Sequence, residues 1–211
     1  RFCENPLYSG VFCADFDGTD PLEKFKVQDQ VGGGTLTVSS ALDGGAAALS
    51  PPNAMHAEVS FGDGGESIAF VSHLIQSTDE YVSLSFGARF GPLIEVLPLI
   101  IAIGASQVVL LLGPAGFTTR QLDPTDGGVL TDVGVLHSPT PNWVHLRFDI
   151  RAKGAEPSIT FFVDGVKRVD RTPIVGEQAG LGTLGFSLGA LATTPATIAY
   201  ANVLFDVKPL P

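Results

Sequence analysis

The sequence predicts an all-β protein: a two-sheet antiparallel jelly-roll sandwich, built as one domain. Three observations predict it. Apolar and polar residues alternate with period two along most of the 211 residues, and no segment shows a sustained apolar run at three- and four-residue spacing. Turn chemistry punctuates that alternation: GGG at 32–34, DGG at 43–45, GDGG at 62–65, TDGG at 125–128 and VDGV at 163–166, each between two plausible strands. The alternating runs number roughly a dozen and are too evenly spread for helical crossovers, which favours two packed sheets over an α/β plan.

Composition bounds the function. Hydrophobic residues make up 45% and charged residues 16%, with 25 Gly and 15 Pro, a chain that packs densely between many turns. Twenty-two acidic against twelve basic side chains give a net charge of −10, and no Lys/Arg cluster offsets it locally. Such a chain repels a phosphate backbone, so nucleic acid is not an expected partner. The acidity suits an extracellular protein, or one that collects cations in Asp-rich loops.

Cys3 and Cys13 are the only cysteines, at a spacing that matches no zinc motif. The natural reading is a disulfide that tethers an N-terminal arm over residues 1–13 to a jelly-roll domain over residues 11–211. It would add about 2 to 3 kcal/mol and imply an oxidising compartment: secreted, cell-surface or periplasmic. The alternative is a reduced pair in a cytosolic protein.

Along the chain, MHAEVSF turns Met55, Ala57, Val59 and Phe61 one way and His56, Glu58 and Ser60 the other. EYVSLSFGARF turns Val82, Leu84, Phe86, Ala88 and Phe90 inward and Tyr81, Ser83 and Ser85 outward. The mostly apolar stretch 91–113 is divided by Glu95, Pro98, Gly104 and the GASQ break into two β-branched-rich runs, which read as neighbouring strands buried on both faces and not as a membrane span. WVHLRFDI and SITFFVDG form a hairpin around RAKGAEP. One register pairs Leu146 with Val163, Phe148 with Phe161 and Ile150 with Ile159 on the buried side. It also sets His145 against Asp164, Arg147 against Phe162 and Asp149 against Thr160 on the other. In that position His145 either dresses the outer wall of a sheet or touches a ligand.

FCADFDGTD at 12–20, WVHLRFD, ITFFVDGV, GTLGFSLG and the closing AYANVLFDV resemble, in order and spacing, the concanavalin A-like lectin/glucanase group, especially laminin-G-like domains. The resemblance covers nearly the whole chain and implies a jelly roll whose first and last strands lie side by side. Some relatives bind calcium near those strands. The resemblance therefore points to Asp15, Asp17, Asp20 and Asp206 as carboxylates for a structural Ca2+, an ion that takes six to eight oxygens. The alternative is that Asp17 caps the DGTD turn and Asp206 is solvated.

Glucanases of this group carry carboxylates on alternate residues of one strand, and no Glu-x-Asp-x-Glu run exists here. Polysaccharide lyases of similar architecture use Tyr and His with Arg or Gln. Tyr81, Tyr200, His73, His145, Arg89 and Arg147 supply the residue types without the local motifs, and no GxSxG elbow is present. The leading expectation is a non-catalytic extracellular module that binds a polysaccharide or other glycan. Its candidate ligand-binding residues are the aromatic platforms Tyr81, Trp143 and Phe162 with His145, Arg147, Asp149 and Asp164 around them. The alternatives are a structural or adhesive surface protein that self-associates, through the run 93–112 if one of its strands lies at a sheet edge, and a polysaccharide lyase or glycoside hydrolase.

Overall fold

The structure is a computed structural model that describes residues 2–5, 7, 11–40, 53–60, 65–76, 81–91, 95–104, 106–123, 129–136, 142–152, 156–174 and 183–208. After a short 3-10 turn at Phe2–Glu4 it runs through fifteen strands: β1 (Phe12–Ala14), β2 (Val27–Val31), β3 (Gly34–Ser40), β4 (Asn53–Val59), β5 (Ser67–Gln76), β6 (Tyr81–Phe90), β7 (Val96–Ile103) and β8 (Ser106–Gly113), then β9 (Gly116–Asp123), β10 (Val129–Leu136), β11 (Val144–Arg151), β12 (Ser158–Val163), β13 (Val166–Pro173), β14 (Thr183–Ala192) and β15 (Ala196–Lys208). All pairings are antiparallel. One sheet has the order β13-β12-β11-β6-β15-β4-β3 with β1 also on β15, and the other β10-β9-β8-β7-β14-β5-β2. Their inner faces pack together as a jelly-roll sandwich over one contiguous apolar core.

The hairpin register expected from the sequence is the one observed. Leu146 pairs with Val163, Phe148 with Phe161 and Ile150 with Ile159, all buried. The Phe148 and Phe161 rings stack with centroids 4.2 Å apart. The next hairpin, β12–β13, closes through Asp164 and Gly165, both at positive φ (49° and 75°), the two-residue turn whose twist suits a hairpin. On the other side β11 pairs with β6, which sets Leu84, Phe86 and Val82 in the same buried layer.

The disulfide Cys3–Cys13 is present, with its Cα atoms 5.7 Å apart. It anchors the N-terminal turn to β1, and β1 pairs with β15 through Phe12↔Phe205 and Ala14↔Val203, so the first and last strands do lie side by side. β15 changes neighbours along its length: residues 196–200 pair with β4, and 203–205 with β1. Asn202, at φ 53°, takes up the irregularity between them, where the β15–β6 register shifts.

Two expectations are corrected. The strands of 91–113 are apolar on both faces but fully buried on one only, because on the outer face Leu97, Ile100, Ala102 and Leu111 are partly exposed while Val109 is covered. Neither strand lies at an edge; β7 and β8 sit inside their sheet. His56 turns outward with Glu58, as alternation requires, yet is buried, unlike Glu58. Phe61 and the turns at 43–45 and 125–128 lie outside the described residues.

Pro98 falls within β7, not between strands, and lacks an amide hydrogen for the ladder. The β14–β7 register shifts between Leu188 and Leu191, opposite that proline. Tyr200, fully buried on the facing sheet, reaches across the core to the gap. Its hydroxyl accepts from the Gly189 amide at 3.2 Å, and its one proton is shared between the Pro98 and Gly189 carbonyls at 2.7 and 2.6 Å. Tyr200→Phe would strand those backbone groups in the core and is expected to cost about 1 to 3 kcal/mol, read from urea unfolding.

At one end of the sandwich His73 sits in an aromatic cage, with ring centroids 4.0 Å from Phe12, 6.0 Å from Phe186 and 5.8 Å from Phe205. Burial is the main cause of a pKa below the ordinary 6.5; Lys26 adds to the shift and a backbone hydrogen bond at Lys24 opposes it. Below pH 6.5 the unfolded chain takes up a proton that folded His73 resists. Stability is therefore expected to hold above that pH and to fall as pH drops beneath it, with a shallower slope in His73→Phe, measured by denaturation across pH 4.5 to 7.5.

Candidate functional site

The outer face of the eight-stranded sheet follows from the registers of β15, β6, β11 and β12. One cross-strand row reads Lys208, Tyr81, Arg151, Ser158. The next reads Asp206, Ser83, Asp149, Thr160, and the third Leu204, Ser85, Arg147, Phe162. Serines and a threonine form the floor, with longer aromatic and charged side chains around them, so the sheet surface is hollowed. Two cavities of about 350 and 270 Å³ occupy the hollow, and both are lined by Tyr81 and Asp149. They form one trough with that pair at its centre.

Asp149 is held from three sides. Ser83 Oγ donates to Oδ1 at 3.0 Å, Arg147 Nη2 lies 3.3 Å from Oδ2, and the Tyr81 hydroxyl donates to the same carboxylate. The Arg147 guanidinium lies over the Phe162 ring, 4.0 Å from its centroid. Lys208 pairs with Asp206 at 3.1 Å and lies 5.3 Å from the centre of the Tyr81 ring. Burial, then the charge of Asp149 and its hydrogen bond, push the Tyr81 phenol up to about 12. The result is an ordered set of a carboxylate, a guanidinium, hydroxyls and two aromatic rings on an open surface.

Of the seven side chains expected to bind a ligand, Tyr81, Arg147, Asp149 and Phe162 come together here. The other three stand apart. Asp164 accepts from the backbone amide of His145 at 2.8 Å, closing the hairpin end. The His145 ring is half-buried, and burial is the main cause of its lowered pKa, with Asp164 opposing and Arg147 assisting. Trp143 packs on Ala54 and Ala199, with the Arg89 guanidinium 5.6 Å from its ring centre, and so covers the sheet away from the trough. Tyr200 and His73 point into the sandwich, so the residue types of a lyase are not gathered at one place.

The four acidic residues expected to hold calcium do not all stand at one place. Asp15 and Asp206 flank the β1–β15 ladder at opposite ends, one position past Ala14 and Phe205 respectively. Asp15 accepts from the amides of Cys3 and Asp17, Asp17 from the amide of Asn53, and Asp206 holds Lys208. Among the described residues no three or more His, Cys, Asp or Glu side chains stand together as metal ligands.

No protein-family model matches the chain, and no curated protein matches it. Its fold is similar to that of a conserved carbohydrate esterase from the Shiga toxin-encoding bacteriophage phi24B, at 11% identity and a TM-score of 0.62, covering 94% of this chain and 100% of that one. It is also similar to botulinum neurotoxin type C, whose cell entry depends on interaction with two ganglioside molecules (10% identity, TM-score 0.58, 97% of this chain and 50% of that one). The binding domain of Paraclostridial Mosquitocidal Protein 1 is a further match, at 10% identity and a TM-score of 0.56 over all of this chain and 51% of that one. The chain spans about half the length of those two toxin chains. At such identities the likeness shows the fold, a two-sheet β-sandwich shared with binding domains.

The Tyr81–Asp149 bond carries its own test. Alkaline titration followed by phenolate absorbance is expected to show a tyrosine with a midpoint near 12, and Asp149→Asn to bring that midpoint down toward the ordinary 10 by removing the neighbouring charge.

Proposed function

We propose that the protein is a non-catalytic glycan-binding module and that the trough centred on Tyr81 and Asp149 is its binding site. The observation that carries this reading is the trough itself. It combines a half-buried Tyr81 ring and a Phe162 ring held by Arg147 with Asp149, Ser83 and Thr160, which match the hydroxyl-rich and apolar faces of a sugar. The fold supports it as analogy, since the structural neighbours include a carbohydrate esterase and a toxin that uses gangliosides. The concanavalin A-like, laminin-G-like resemblance of the strand motifs points the same way, and the disulfide fits an extracellular setting.

The enzyme reading gains less support from the trough. A phenol pushed up to about 12 is poorly matched to proton abstraction near neutral pH, so Tyr81 serves better as a hydrogen-bond donor than as a general base. Self-association through the apolar run 93–112 loses its edge strand, because β7 and β8 are interior.

Binding to a panel of neutral and acidic polysaccharides, measured by calorimetry, tests the proposal. Phe162→Ala and Asp149→Asn are each expected to weaken binding roughly tenfold, the scale of one stacking contact or one hydrogen bond to a charged group. Trp143→Phe is expected to leave it unchanged. Binding that is indifferent to both trough variants would move the site elsewhere, and no binding to any glycan would sink the reading.

A further inference from the structure

One end of the trough is built differently from the rest. Ile159 pairs with Thr172 and Phe161 with Val169, so Asp170 and Arg171 together stand opposite Thr160 in a β-bulge. Arg171 holds φ 50° there, a left-handed backbone that costs a non-glycine residue about 1 to 2 kcal/mol. Its amide donates to Thr160 Oγ1 at 3.4 Å. Hairpin closure does not require this strain, since Asp164 and Gly165 already make the turn. What the bulge does is bring Arg171 to the wall of the same cavity as Arg151, which the register places between Tyr81 and Ser158.

Charge distinguishes these two residues from their neighbours. Arg147 is engaged by Asp149, Lys167 by Asp170 and Lys208 by Asp206. Arg151 and Arg171 have no ion pair among the described residues, although exposed Glu156 shares the cavity lining. Five cationic and four anionic side chains line the whole trough, so it carries +1 while the remainder of the chain carries −11. Nearly half of the basic side chains of an acidic protein are gathered at one surface.

Building on the trough as a glycan site, we propose that Arg151 and Arg171 form a subsite for an oxyanion, so that the ligand is an acidic polysaccharide. A sugar carboxylate and a sulfate ester share the planar or near-planar oxygen pairs that a guanidinium fork matches with two parallel hydrogen bonds. Tyr81 and Asp149 would then face an adjoining neutral part of the sugar.

Calorimetry with two matched pairs tests this: polygalacturonate against its methyl ester, and dextran sulfate against dextran. The acidic member of at least one pair is expected to bind roughly tenfold or more tightly than its neutral counterpart, the scale of one charge-assisted hydrogen bond. Which pair shows the preference identifies carboxylate or sulfate. In the Arg151→Gln, Arg171→Gly double variant that ratio is expected to fall to about one. Glycine suits the left-handed backbone, so the variant should keep or raise its Tm, and Arg171→Asn, which also tolerates that backbone, provides a second version. Equal binding of acidic and neutral members, or a preference that survives the double variant, overturns the subsite and leaves the trough standing. Failure of all four polymers to bind overturns the subsite, and the trough falls with it only where the wider panel of glycans also fails to bind.

Discussion

The register of β11 between β6 and β12 is the constraint on which the molecule depends. Side chains alternate with period two, so fixing Leu146, Phe148 and Ile150 against Leu84 and Phe86 on one strand and Phe161 and Val163 on the other decides both faces at once. The inner face becomes a continuous layer of rings and branched chains. With no further choice, the outer face sets Asp149 between Ser83 and Thr160, and Arg147 between Ser85 and Phe162. A slip of one residue would put Asp149 in the core and Phe148 in the trough. The trough is thus held by the same energy that closes the sandwich, and it rests on strands and not on loops.

Interruptions of that regularity occur where the chain needs something alternation does not supply. Pro98 breaks the β7 ladder, and Tyr200 restores its polar balance from the opposite sheet, coupling the two layers through a hydrogen-bonded contact in an otherwise apolar core. Close approach is required beside it: a Cβ on Gly189 would come within 1.9 Å of the Ala69 carbonyl on the paired strand β5, so that position admits only glycine. Asn202 uses a left-handed residue so that β15 can pair with β4 and then β1. Arg171 is the one such position on the wall of the trough, where the irregularity displaces a charged side chain instead of repairing a ladder.

Much of this was legible in the sequence, for physical reasons specific to each residue. Alternation and the pairing of large apolar residues across the RAKGAEP loop were enough to fix the β11–β12 register, and with it the outward placement of three of the four trough side chains: Arg147, Asp149 and Phe162. Tyr81 followed from its own strand. Local pattern cannot show which strands become neighbours, so the contribution of β15 was missed. Asp206 read as a metal ligand near the first strand, whereas the β6–β15 pairing carries it and Lys208 to the trough rim. Trp143 read as a sugar platform because its packing partners, Ala54 and Ala199, are small residues far off in sequence. Arg151 continues the outward alternation of His145, Arg147 and Asp149 but read as the first residue of the RAKGAEP loop, and Arg171 had no signal, because a bulge appears only when both strands are known.

The electrostatics of the trough follow from the same placement. An isolated carboxylate on a protein of net charge −10 would add to the repulsion of any acidic polymer. Here each of Asp149, Asp170 and Asp206 stands beside a basic partner, so its field is largely cancelled within a few ångströms. At separations beyond about 8 to 10 Å salt screens the acidic remainder of the surface, so that a ligand in the trough experiences mainly the local charges. A surface can therefore be selective for anions on a strongly acidic protein, provided that its cations are held in fixed positions. In this fold the alternation of β11 fixes Arg151 and the bulge of β13 fixes Arg171.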